Sequence, residues 1–255
     1  GMPVPTPEDA PLVDVPDDDQ KGFRIARTEE AVLENHPTAA HFRYPYVYGP
    51  YQLVPREWCV VRRILDGRRQ MILPDDGLTL QHYGYVENLA HALLLAVDQP
   101  EASAGQVYNC ADEEVMTLRQ VVETIAQLMD ASLEVVSMPW ELATPARPLM
   151  LQPLPTHRVL DLTKLKMQLG YRDVVAPREG LRRTVEWLVA KRPAPGGTEE
   201  TVLQDPFDYA AEDRLIEGWQ RALAQMPAVS FETEPGYTLS YSGPGGRPRS
   251  EPEFA

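Results

Sequence analysis

Cysteine is scarce: Cys59 and Cys110 are the two thiols among 255 residues, each inside an apolar run. Two isolated cysteines cannot build the disulfide framework of a small secreted domain, and small buried thiols in a reducing cytosol are expected. Positive charge is also short, with 24 Lys and Arg against 38 Asp and Glu for a formal charge of −14. A surface of that sign repels a phosphate backbone or an anionic bilayer, which argues against nucleic-acid and membrane partners. No apolar run reaches the roughly 18 residues of a membrane span, and the Pro- and Asp-rich beginning has neither the basic nor the apolar stretch of a secretory signal. A soluble cytoplasmic protein is expected. Metal-ligand spacing is missing too, since His36, His41, His82, His91 and His157 are scattered and neither cysteine has a partner at ligand distance in sequence. There is no Gly-x-Ser-x-Gly nucleophile elbow. The run Asp17-Asp18-Asp19 lacks the Gly turn and the distant Glu of a calcium loop, so it reads as a solvated loop.

What remains is 43% hydrophobic, enough for one sizeable α/β domain or two small ones. Residues 3–22 are crowded with Pro and Asp and read as an extended segment. A helix is predicted over Phe23 to Glu34, its apolar stripe interrupted by Glu29, with a strand at 39–44. "VPREWCVVRRILDG" predicts a second helix, "RQMILPDDG" a strand and turn, and "LTLQHYGYV" another strand. "ENLAHALLLAVDQP" predicts a helix buried on more than one side, from its long run of Ala and Leu. "GQVYNCA" and "SLEVVSM" read as strands around a helix opened by Thr117 and Gln120 in a capping-box pattern. A Pro-rich stretch, residues 139–155, should wrap over the surface or line a mouth. Two more helices follow, one closed by Gly170 and one opened by Pro177. Beyond a Pro-Gly linker at 193–197, "DPFDYAAEDRLIEGWQRAL" places Phe207, Ala211, Leu215 and Trp219 on one helical face that should dock on the main body. The end of the chain, 226–255, is expected to be an extended tail.

Five pieces then stand out by their order: "FRYPYVYGP" (42–50), "LQHYGYVENLAHALLLAV" (80–97), "GQVYNCADEEVMTLRQVVETIAQLM" (105–129), "DLTKLKMQLGY" (161–171) and "REGLRRTVEWL" (178–188). Together they resemble the second half of the extended short-chain dehydrogenase family, the NAD-dependent epimerases and dehydratases. "PVPTPEDAPL" resembles the segment after the fifth sheet strand of that family. The resemblance implies an α/β fold holding the last strands of a partial Rossmann-like parallel sheet, with the smaller substrate-binding lobe and a C-terminal helical extension. It places the C-terminal half of such a domain at 1–192, a linker and docking helix at 193–225 and the tail at 226–255. NAD or NADP is the cofactor it implies, with a small-molecule substrate.

Chemistry of that kind needs a Gly-rich dinucleotide cradle, a Tyr that moves a proton and a Lys that lowers its pKa. No strand followed by a Gly-rich turn occurs in this sequence, and "GPGGRPRS" at 243–250 has prolines where a helix should start. The half that would carry the cradle amounts to about 120 residues. The best-matching frame for Tyr-x-x-x-Lys is Phe23-x-x-x-Arg27, so no catalytic residue is assigned. Phe23 has no hydroxyl, and Arg27 either steadies a ribose hydroxyl or carboxylate or is a solvated helix charge. Cofactor-facing positions by resemblance are Arg27, Pro45, Tyr46 and Val47. Tyr46, Tyr48, Gln81 and His82 are candidates for lining a substrate pocket, the alternative being ordinary packing of strand side chains. Gln81 stands where the family often has Arg, and an amide cannot hold a phosphate bidentately.

Three functional readings follow: the substrate-binding half of an NAD(P)-dependent epimerase, dehydratase or reductase that is not catalytically competent alone; a non-enzymatic ligand-binding or assembly module; or a fragment of a longer oxidoreductase or isomerase. A sheet edge around residues 39–44 is expected to be covered by a partner chain, a second copy or the N-terminal segment.

Overall fold

The computed structural model describes residues 3–16, 19–150, 154–233 and 235. Asp17 and Asp18, most of the expected tail and the glycine cluster at 243–250 lie outside them. The chain divides into two compact units, Gly1–Ile216 and Glu217–Ala255. In the second, Arg221 and Glu217 approach to 3.8 Å. Trp219, expected on the docking face, belongs to that unit.

Helix α1 spans Gln20–Asn35, and Asp19 caps it by accepting the Gly22 N–H at 2.9 Å. Strand β1, His41–Arg43, and strand β2, Tyr46–Tyr48, follow across Tyr44 and Pro45. Next come α2, Trp58–Leu65; β3, Gln70–Pro74; β4, Leu80–Gln81; and β5, Tyr83–Tyr85. The single strand expected over "LTLQHYGYV" is thus two, broken at His82. There the backbone N–H turns to the Arg158 carbonyl, 2.9 Å away.

Helix α3 is Val86–Asp98 and the short α4 is Pro100–Ser103. Strand β6, Val107–Asn109, runs parallel to β1, while β5 runs parallel to β2 with Tyr46 opposite Tyr83 and Tyr48 opposite Tyr85. Strand β7, Met116–Thr117, is antiparallel to β4. It leads into α5, Leu118–Leu128, whose start carries the full Thr117–Gln120 capping box. Strand β8, Glu134–Met138, pairs in parallel with β3. Among the described residues the strands form four two-stranded ladders.

The remaining helices are α6, Thr163–Leu169; α7, Pro177–Ala190; α8, Thr198–Leu203; and α9, Tyr209–Ala224. Gly170 ends α6 in the left-handed region at φ 70°, as a C-terminal stop requires. The last helix begins at Tyr209 and not at Asp205. The Asp205 carboxylate accepts the Phe207 N–H, turning the chain there, and the six residues of α8 precede it.

One core joins β2, α2, β3, β5, α5 and α7 through Tyr48, Trp58, Leu73, Tyr85, Ile125 and Leu181. A second joins α3, β6 and α6 through Leu89, Ala92, Tyr108 and Leu165. Burial of α3 is one-sided, contrary to the expectation from its composition: Leu93, Leu94 and Val97 are 43%, 61% and 71% exposed. Leu89, Ala92 and Ala96 put one face against the second core, and Leu93 and Leu94 point away. Both cysteines are buried and free.

Glu29, the residue that interrupts the apolar stripe of α1, is buried. It takes both Nε and Nη2 of Arg43 on β1, at 2.8 and 2.6 Å, and His41 at 3.2 Å. The Arg43 Nη1 reaches the Glu8 carbonyl at 2.7 Å, and Glu8 and Thr6 bond to Asn109. The N-terminal segment therefore crosses the ends of β1 and β6 and does not pair along the open edge of β1. Among the described residues no helix is long and apolar enough to cross a membrane.

Candidate functional site

Strand β2 carries two tyrosines with different duties. The Tyr46 hydroxyl accepts the Arg56 N–H at 3.0 Å and lies 2.6 Å from the Val54 carbonyl and 2.8 Å from the Gln52 amide oxygen. Burial pushes its pKa well up, so it is a fixed neutral hydroxyl that holds the turn before α2. The Arg56 guanidinium stacks over its ring, 5.3 Å from the centroid. Tyr48 points into the core, where its hydroxyl meets the Asp112 carboxylate at 3.0 Å and the Pro177 carbonyl at 3.2 Å. Helix α7 passes so close that a Cβ on Gly180 would lie 2.9 Å from the Tyr48 hydroxyl and 2.8 Å from the Tyr85 ring.

Asp112 collects these elements. Its Oδ1 accepts the Tyr85 N–H at 2.9 Å and the Asn88 amide at 2.8 Å, and its own N–H donates to the Tyr83 carbonyl. Asn88 in turn accepts the Val174 and Val175 N–H groups and donates to the Val175 carbonyl. Burial raises the Asp112 pKa to about 6, against the lowering effect of the donors from Asn88, Tyr85 and Tyr48. Neither Asp112 nor Asn88 emerges from the sequence reading. The signal available was an Asn one turn into an otherwise apolar helix, which inside a core must find partners.

Gln81 and His82 complete the neighbourhood. Gln81 is buried and its amide oxygen accepts the Tyr83 hydroxyl at 2.9 Å. His82 uses both ring nitrogens: Nε2 lies 2.7 Å from the Asp112 carbonyl, and Nδ1 accepts the Leu160 N–H at 3.0 Å. That pairing fixes the neutral tautomer with the proton on Nε2, and burial lowers the ring's pKa. One side of the His82 ring lines a cavity of 240 Å³ with Glu113 and Lys166, themselves paired at 2.9 Å.

The remaining sequence-selected positions stand apart from this cluster. Phe23 is half-buried on α1; Arg27 is exposed, paired with Glu30 at 2.6 Å and 5.4 Å from the Phe23 ring centre. Among the described residues no hydrogen bond, ion pair or ring contact links either to Tyr46, Tyr48, Gln81 or His82. Pro45 is partly buried and Val47 is 37% exposed. Among the described residues no group of three His, Cys, Asp or Glu is placed to hold a metal ion.

The family model for the NAD dependent epimerase/dehydratase family matches residues 28–111, from α1 through the Asp112 approach. That stretch is similar to the epimerase/dehydratase family. A UDP-N-acetyl-alpha-D-glucosaminuronate decarboxylase of Bacillus cytotoxicus is 28% identical over 153 residues, covering 57% of this chain and 44% of that protein. The UDP-glucose 4-epimerase of Thermotoga maritima, solved with UDP-glucose, superposes with a TM-score of 0.57 at 24% identity over 74% of this chain and 58% of its own. The dTDP-glucose 4,6-dehydratase of Bacillus anthracis, solved with NAD, gives 0.55 at 20% identity over 72% and 56%. These likenesses establish a Rossmann-like α/β fold. The chain spans about half the length of the curated relatives it matches.

Proposed function

We propose that this chain is the substrate-side half of an epimerase/dehydratase-type fold, and that by itself it does not carry out hydride or proton transfer. The observation that carries this reading is the pairing of the family match over residues 28–111 with Phe23 and Arg27 in the Tyr and Lys frame. A phenyl ring has no proton to exchange, and the Arg27 guanidinium is paired with Glu30.

NAD or NADP, when bound to a protein of this family, carries the hydride. The positions that resemblance assigns to it do not fit a dinucleotide here. Arg27 is paired, Pro45 has no N–H to donate, Val47 is apolar, and the Tyr46 hydroxyl is held by Arg56, Val54 and Gln52. Gln81, engaged with Tyr83, offers no cation to a nucleotide-sugar phosphate. The test is calorimetric titration of the chain with NAD and NADP separately. No saturable heat is expected; tight saturable binding of either would overturn the reading.

A second reading, an assembly module, is favoured by the one-sided pairing of β1 and by the apolar stripe of Leu93, Leu94 and Val97 on α3. A second copy or a partner chain covers them in this reading. Light scattering across a concentration series, with amide exchange at Phe42, tests it: a monomer at every concentration with a rapidly exchanging Phe42 amide rejects it.

A further inference from the structure

A cavity of 850 Å³ opens between the turn that Tyr46 holds, the Pro-rich segment and the chain from Val202 to Leu215. Most of its wall lies outside the residues 28–111 that the family model matches, and the chain from Val202 to Leu215 forms one side of it. Its volume falls in the range of small-molecule sites, and its lining is mixed as such sites are. Trp140, Met150 and Leu203 give it apolar and aromatic surface.

The polar groups of the wall differ in how far they are already committed. Asp205 and Glu212 both bind the buried Arg63, at 2.7 and 2.5 Å, and Asp208 accepts the Ala211 N–H at 3.0 Å. Arg56 holds the Pro148 and Met150 carbonyls through Nη1 and leaves Nη2 without a hydrogen bond among the described residues. The guanidinium of Arg147, next in the chain to Pro148, has no partner among the described residues and is exposed to solvent. The cavity thus keeps two cationic donors, beside the neutral donors of Trp140, Thr144 and Gln204.

We propose that this cavity binds a small organic acid with a flat apolar body, its acid group held by Arg56 and Arg147 and its body against Trp140. Carboxylate and phosphate share the chemistry that two guanidinium groups recognise. The inference stands apart from the epimerase/dehydratase reading: it needs no dinucleotide and no family substrate.

Calorimetry on the full chain with 1-naphthoate, 1-naphthyl phosphate and neutral 1-naphthol tests it. One or both anions should bind saturably at one site, at least about tenfold tighter than the naphthol. The stronger of the two names the acid group. Arg147→Gln, at an exposed position, should weaken the anion about tenfold, and Val202→Trp should abolish binding by filling the cavity. Far-ultraviolet circular dichroism and an unchanged unfolding midpoint confirm that both variants are folded. Equal binding of naphthol and the anions, no saturable heat from either anion, or anion binding unchanged in the folded Val202→Trp variant would each overturn the proposal.

Discussion

The Asp112 carboxylate accepts the Tyr48 hydroxyl at 3.0 Å in the interior, 64 positions away in sequence. The same carboxylate holds the start of α3 through the Tyr85 N–H and Asn88. One side chain thus ties β2, β5 and α3 to the loop after β6, and it does so at the cost of an ionisable group in the core.

Stability should fall with rising pH through this group. Its folded pKa, about 6, exceeds the ordinary 3.8, so the folded state prefers the protonated acid. The contribution is complete below pH 3.8 and is lost as pH rises through 6. The gap corresponds to about 3 kcal/mol. Asp112→Asn should gain on the wild type by up to that amount between pH 4 and pH 7.5. Urea unfolding of both proteins across that range measures the difference, and a constant difference would refute it.

Tyr48→Phe removes a donor from a buried carboxylate and should cost about 1–3 kcal/mol at neutral pH. The loss should shrink in the Asp112→Asn background, because the neutral amide tolerates the missing donor better. A double-mutant cycle by chemical denaturation gives the coupling.

Glu29 should show the opposite pH sign. Hydrogen bonds from Arg43 hold its carboxyl below the usual range despite burial. Its contribution is present above the unfolded pKa and is lost as pH falls through the lower folded value. Glu29→Gln should therefore destabilise the chain at pH 7 by about 1.5–3 kcal/mol and flatten the acid limb of its stability curve.

Arg63→Met leaves Asp205 and Glu212 buried without their cation. A loss of about 3–5 kcal/mol is expected, with amide protection falling first between residues 198 and 216. Hydrogen exchange read by mass spectrometry locates that opening; uniform loss across the chain would contradict it.

Signals confined to neighbouring residues were legible in the sequence. Thr117 with Gln120, Gly170 and Pro177 each marked a helix end by a local hydrogen bond or a fixed dihedral, and each stands where it was read. Partnerships across the chain were not. The fate of Glu29 depends on Arg43 on another element, and Asp112 draws meaning only from Tyr48 and Asn88. The Ala-Leu run of α3 misled because composition records how apolar a helix is but not how many neighbours surround it. Tyr46, Tyr48, Gln81 and His82 do fall on neighbouring elements, yet their polar atoms are engaged within the chain, which alternating aromatic strands do not disclose.

The four paired ladders have a mechanical consequence. Among the described residues the named strands pair only two by two, with single backbone bridges beyond them at Gln81–Arg158 and Thr6–Leu160, so no broad continuous sheet spreads a load across the fold. A displacement at β2 reaches α3 through the Tyr48–Asp112–Asn88 chain of side chains, and stiffness there is set by three replaceable residues.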